Sequence, residues 1–91
     1  MTTPSALELR RKRLRFRCWH RGSREADLLF GRFAARYLER LDPAQIGRLE
    51  ALLAEEDPDV WAWVVGRAPA PPEFDHDVLA LLRQAQDGPD S

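Results

Sequence analysis

With 91 residues and a mass of 10.5 kDa, the chain can form one hydrophobic core that buries only about 60 to 65% of its unfolded surface, so a deep enclosed active site for a large substrate is excluded and function is expected on the surface. Hydrophobic residues at 44% and charged residues at 32% exclude a disordered chain and a membrane-embedded one, and the single Cys18 excludes an intrachain disulfide and a multi-cysteine zinc cluster. The net charge of −1 hides a division at Arg24: eight basic residues against Glu8 alone give +7 up to that point, and six basic against fourteen acidic residues give −8 beyond it.

Such a division means that the basic end meets an acidic partner, whether nucleic acid, membrane surface or protein, or folds back on the chain's own acidic half. No stretch approaches the apolar length of a membrane span, and Met1 to Leu14 lacks the apolar centre of a secretory signal. The expectation is one domain over 1–91 in the cytoplasm, ordered from about 6 to 86, with flexible tails at 1–5 and 87–91.

No run alternates apolar and polar residues as a half-buried strand does, so the fold class is all-α, a compact bundle of about five short helices. Leu7, Leu14 and Cys18, with Phe16 and Trp19 nearby, mark a first helix over about 6–19, and Arg21 and Gly22 make a sharp corner after it. Ala26, Leu29, Phe30, Phe33, Ala34, Tyr37, Leu38 and Leu41 then recur at spacings of three and four on one face of a second helix. Gly31 inside it costs about 1 kcal/mol relative to Ala, which a closely packed neighbour would explain.

Asp42-Pro43-Ala44-Gln45 combines a cap, a first-turn proline and a capping box, and Ile46, Leu49, Leu52 and Leu53 supply the buried stripe of a third helix. Its acidic end, Glu55 and Glu56, lies beside the negative pole of the helix and calls for a cation nearby. Asp57-Pro58-Asp59 opens a short fourth helix that Gly66 ends; of its two tryptophans, Trp61 and Trp63, one belongs to the core and the other forms a platform or lid. Ala68 to Pro72 reads as a stiff link, and a last helix is predicted from about 73 to 86 through Val78, Leu79, Leu82 and Ala85.

Chemistry-bearing groups are sparse. His20, His76 and Cys18 match no zinc spacing, Cys18 and His20 point about 200° apart on a helix, and the glycines form no phosphate cradle. Cys18 therefore fills the core. The acidic residues Glu55, Glu56, Asp57 and Asp59 serve as caps and a solvated face, or as acid and base groups. Arg10 to Arg17 form a solvated helix face or a nucleic-acid contact.

The segment from Trp19 to Leu29 sets a tight glycine corner among arginines and carboxylates at one exposed vertex, where Arg21 and Glu25 reach the same surface. Glu25 and Asp27 also gain about 0.3 to 1 kcal/mol each from the first turn of the second helix, so recognition and simple helix stabilisation are both open.

RGxxE at Arg21, Gly22 and Glu25, followed by Asp27-Leu28-Leu29, Gly31-Arg32-Phe33, Leu52-Leu53 and the run Asp57-Pro58-Asp59-Val60-Trp61-Ala62-Trp63, resembles the SdhE family of succinate dehydrogenase assembly factors over roughly Arg10 to Leu82. Ala26 is smaller than the bulky apolar residue usual there, and Val60 replaces the usual Leu. The resemblance implies a non-enzymatic helper that binds the flavoprotein subunit of succinate dehydrogenase, and in bacteria the related fumarate reductase subunit, and promotes covalent attachment of FAD to a histidine of that client. It implies no cofactor held tightly by the helper itself. Arg21, Gly22 and Glu25 would form the client-binding vertex, with His20 and Asp27 as neighbours, on a monomer that neither inserts into membranes nor binds nucleic acid. The rivals are a nucleic-acid-binding helical protein using Arg10 to Arg17 and a plain oligomerisation module.

Overall fold

The computed structural model describes residues 5–87. The parts of the expected flexible tails at 1–4 and 88–91 lie outside the described residues. Ser5, expected in a tail, instead caps helix α1 (Ala6–Trp19): its hydroxyl accepts from the Glu8 amide, and the Glu8 carboxylate accepts from the Ser5 amide, each at 3.1 Å. Helix α2 spans Arg24–Tyr37 and tightens into a 3₁₀ turn at Leu38–Arg40, so the predicted continuous helix through Leu41 ends earlier, although Leu38 and Leu41 are still buried. Helix α3 (Pro43–Leu53) starts on the expected Asp42–Gln45 capping box, and α4 (Asp57–Val65) ends at Gly66 with φ +84°.

The last helix departs from expectation. Pro72–Phe74 form a separate 3₁₀ turn, and α5 runs Asp77–Asp87 rather than from 73. Phe74 turns to stack on Trp63 with ring centroids 5.2 Å apart, while His76 Nδ1 accepts the Leu79 amide at 3.3 Å as the helix cap. One helix through both sites could not satisfy the two geometries. Burial pushes His76 below the ordinary histidine range.

Five α-helices and no strand thus make up the described residues, in agreement with the predicted all-α class. The central element is α2, which packs against α1, α5 and α4, while α3 packs on α1 and α5. Phe30, Phe33, Ile46, Leu49, Leu52, Val60, Leu79 and Leu82 are completely buried, and truncating either phenylalanine to Ala would cost about 3 to 5 kcal/mol. Cys18 is buried among them as expected of a core filler, its thiol pushed up to about 12 by burial and hence inert at neutral pH. Among the described residues, no helix is long and apolar enough to cross a membrane.

The basic first helix folds back on the acidic half. Arg10 forms a two-pronged pair with Glu50 at 2.6 and 3.1 Å, Arg11 donates to the Leu41 carbonyl at 2.7 Å, and Arg15 pairs with Glu39. The guanidinium of Arg10 holds Glu50 below the usual carboxylate range.

Gly31 is explained by α1: a Cβ there would collide with the indole of Trp19, which lies across α2 and is 42% exposed. Gly31→Ala is expected to lose about 1 to 3 kcal/mol to this overpacking, whereas in a Trp19→Ala background it should gain up to about 1 kcal/mol from helix propensity; urea unfolding of the four proteins checks the reversal of sign. Because the folded pKa of His76 lies below its unfolded value of about 6.5, the unfolded chain binds more protons, and stability should fall as pH drops below about 6.5 and through the folded pKa. His76→Asn, which retains a capping acceptor, should flatten that limb in thermal melts taken from pH 7.5 to about 5.

Candidate functional site

The vertex between α1 and α2 is built by local hydrogen bonds. After the helix ends at Trp19, Gly22 turns the chain at φ +107°, a conformation in which a side chain is strained although a Cβ would meet nothing within 4 Å. Ser23 caps α2, its hydroxyl accepting from the Ala26 amide at 3.1 Å. The Arg21 amide donates to Asp27 Oδ1 at 2.6 Å, which locks the corner from inside.

The side chain of Arg21 runs in the opposite direction, across the gap to α3 and α4. Its Nε and Nη2 donate to Asp57 Oδ1 at 3.0 and 2.7 Å, and Nη2 also donates to the Leu53 carbonyl at 2.8 Å. The guanidinium carbon sits 5.5 Å from the centre of the Phe30 ring. With side-chain exposures of 14% for Arg21 and 21% for Asp57, the pair is largely withdrawn from water. Arg21 supplies the positive charge that the carboxyl end of α3 calls for, and Asp57 sits where the amino end of α4 favours a carboxylate.

A cavity of about 630 Å3 opens over this clasp. On the α2 side it is lined by Arg21, Gly22, Ser23, Glu25 and Ala26; Asp57, Pro58 and Trp61 form the facing wall. Glu25 is exposed, and its carboxylate has no hydrogen-bond or ion-pair partner among the described residues. Trp61 is half-buried and carries the Arg67 guanidinium 4.8 Å from its ring centre, whereas Trp63 is buried on Phe74. The expected division of the two tryptophans into core and platform is therefore observed.

Three of the five site residues read from the sequence, Arg21, Gly22 and Glu25, meet at this cavity. The other two do not line it. His20 folds back along α1, stacked on Phe16 at 3.9 Å with Nδ1 donating to the Phe16 carbonyl at 2.7 Å, and Asp27 is occupied by the Arg21 amide. Sequence reasoning gave Asp57 as a cap or an acid or base group and one of Trp61 and Trp63 as a platform or lid, but joined neither of them, nor Pro58, to the vertex of Arg21 and Glu25. The signal for them was the four-residue step from Asp57 to Trp61, which puts both on one face of α4.

A second concave patch on α1 is lined by Leu9, Lys12, Arg13, Phe16 and Arg17, whose basic side chains make no ion pair among the described residues. No group of three or more metal-ligating side chains occurs among the described residues.

The pattern of this chain matches a protein family described as flavinator of succinate dehydrogenase, over residues 12–86. Among curated proteins it is 38% identical over 80 residues to the mitochondrial succinate dehydrogenase assembly factor 2-A of Drosophila mojavensis, covering 86% of this chain and 51% of that protein. It is 37% identical over 79 residues to the mitochondrial succinate dehydrogenase assembly factor 2 of Dictyostelium discoideum (87% and 56%) and 35% identical over 80 residues to that of Culex quinquefasciatus (86% and 50%). The chain spans about half the length of the curated relatives it matches.

Arg21 and Glu25 are expected to separate in stability. Arg21→Ala leaves Asp57 and the Leu53 carbonyl without their donor and should cost about 2 to 4 kcal/mol. Glu25→Ala removes only a helix-dipole contribution of a few tenths to about 1 kcal/mol. Chemical denaturation of both variants beside the parent checks the difference.

Proposed function

We propose, since the chain belongs to the family of flavinators of succinate dehydrogenase, that it is an assembly factor which binds the flavoprotein subunit of succinate dehydrogenase and promotes covalent attachment of FAD to that subunit. The observation that carries this reading is the extent of the family match, which takes in both walls of the cavity, from Arg21 to Glu25 and from Asp57 to Trp61. The relatives are named as assembly factors, and the same non-enzymatic role is assigned to this chain.

The lining of the cavity does not fit the flavin cofactor itself. Its one guanidinium is occupied by Asp57 and the Leu53 carbonyl, and its other charges are the carboxylates of Glu25 and Asp57, so a pyrophosphate would meet repulsion. FAD is accordingly assigned to the client, and this chain to the client's surface. The helper binds one arrangement of the client's parts more tightly than the others, and this shifts the population toward the geometry in which histidine and flavin react. No nucleophile is needed from a chain whose thiol is buried and protonated.

The related fumarate reductase flavoprotein is proposed as a second client, on the resemblance alone, and the monomer as the working form. The relatives' names place them in mitochondria; the cytoplasmic location read from the sequence remains the proposal for this chain. The nucleic-acid reading gains no support, because Arg10, Arg11 and Arg15 are engaged within the molecule.

The test is flavinylation of the succinate dehydrogenase flavoprotein subunit at limiting assembly factor, read as covalent flavin fluorescence after denaturing electrophoresis. Folded Glu25→Ala is expected to lose activity about tenfold or more, as for a lost charge-assisted contact of about 1.5 to 3 kcal/mol. Undiminished flavinylation by that variant would remove Glu25 from the working surface.

A further inference from the structure

The charges at the cavity are unequally satisfied, and the inequality specifies what can enter. Both bonds from Arg21 to Asp57 end on Oδ1, and the guanidinium is engaged further by the Leu53 carbonyl and the Phe30 ring. Arg21 is thus neutralised from within. Among the described residues, neither Asp57 Oδ2 nor either oxygen of Glu25 accepts a hydrogen bond, so the cavity presents two carboxylates against one committed cation, with acceptors free and its strongest donor in use. Ala26, Pro58 and Trp61 supply apolar wall between these acceptors. The Trp61 indole forms part of the cavity wall and carries the Arg67 guanidinium 4.8 Å from its ring centre, so a cation entering the cavity stacks there in place of Arg67.

An anion entering here would lie against Glu25 with no uncommitted guanidinium in the lining, and a neutral apolar group would strip water from Glu25 without replacing its hydrogen bonds. A planar cation meets every requirement. A guanidinium offers five donors in a fixed fork, pairs with carboxylates through two bonds, is more weakly hydrated than an ammonium, and stacks on an aromatic wall.

Resting on the reading of this vertex as the client-docking surface, we propose that the cavity between α2 and α4 receives an arginine side chain of the flavoprotein subunit. Glu25 is its principal acceptor, Asp57 Oδ2 the second, and Trp61 the wall on which it lies. Arg21 then acts as a positioning residue that holds Asp57 and the corner in place and does not itself contact the client's charge.

The experiment compares the affinity of purified flavoprotein subunit for the full chain and for Glu25→Gln, Glu25→Lys and Trp61→Phe, each first shown to melt within a few degrees of the parent. Glu25→Gln is expected to bind about tenfold more weakly and Glu25→Lys about a hundredfold, as for loss and then reversal of a charge-assisted pair. Equal or tighter binding by Glu25→Lys would overturn the proposal, since the client would then be presenting an anion or no charge at this position.

A second arm titrates the free chain with N-acetyl-arginine methylamide and follows the Glu25 amide and Trp61 indole resonances by NMR. Saturable shifts are expected at millimolar concentrations, weaker with the lysine analogue and abolished in Glu25→Lys. No shift up to about 100 mM, or a preference for the glutamate analogue, would overturn the cationic assignment. If the parent chain neither binds nor flavinylates the subunit, the assembly-factor reading fails, and the arginine titration still decides which charge the cavity accepts.

Discussion

The guanidinium of Arg21 is the constraint on which the vertex depends. It reaches from the turn after α1 to the last carbonyl of α3 and the first carboxylate of α4, both more than thirty residues further along the chain, and each of its contacts answers a local electrostatic need. The carboxyl end of α3 has unsatisfied carbonyls and a negative pole; the amino end of α4 favours a carboxylate; and a partly buried cation requires both a counter-charge and hydrogen-bond acceptors. A lysine could supply the charge, but its single ammonium lacks the planar fork that reaches Asp57 through two nitrogens while lying over Phe30.

This arrangement divides labour within a short motif. Arg21 and Gly22 give the vertex its shape, the first through its clasp and the second through a positive φ. Ser23 and Asp27 fix the backbone between them. Arg24 and Glu25 are exposed charges in that stretch without an internal partner among the described residues, and of the two only Glu25 lines the cavity. Its preservation as a free group on a rigid first turn is what separates a recognition element from a helix cap, because a cap would have been drawn onto a neighbouring amide as Asp27 is. Rigidity matters for a small helper: a contact made by a pre-ordered carboxylate loses little conformational entropy on binding.

Much of this was legible in sequence. The three-four spacing of apolar residues located the helices, Asp42-Pro43 and Asp57-Pro58 marked two starts, and Gly22 and Gly66 marked two turns that the structure places at positive φ. Even the cation at the end of α3 could be inferred from Glu55 and Glu56, but not its identity, since Arg21 lies more than thirty residues away and contacts at that distance leave no local pattern. The same reason hid Asp57 and Trp61 from the site: their helical step made them neighbours of each other, and only the packing of α2 near α4 made them neighbours of Glu25. The start of α5 was missed for a different cause. Pro72 to Phe74 has helical character, as expected, yet the stacking of Phe74 on Trp63 and the capping role of His76 break the chain between turn and helix, a tertiary override of local propensity.

The charge division along the chain acquires its meaning from this geometry. Arg10, Arg11 and Arg15 are absorbed by Glu50, the Leu41 carbonyl and Glu39, so the basic helix serves first as a strap over the acidic half. Arg21, the next cation directed inward, performs the same service for Asp57. Once these are matched, the carboxylate in the cavity lining that has no cation of its own is that of Glu25. A uniformly basic or acidic surface would attract any opposite charge nonspecifically. One free carboxylate between an aromatic wall and a rigid corner instead requires a partner whose charge, planarity and position all agree, which is the kind of selectivity expected of a small protein that acts by docking on one client.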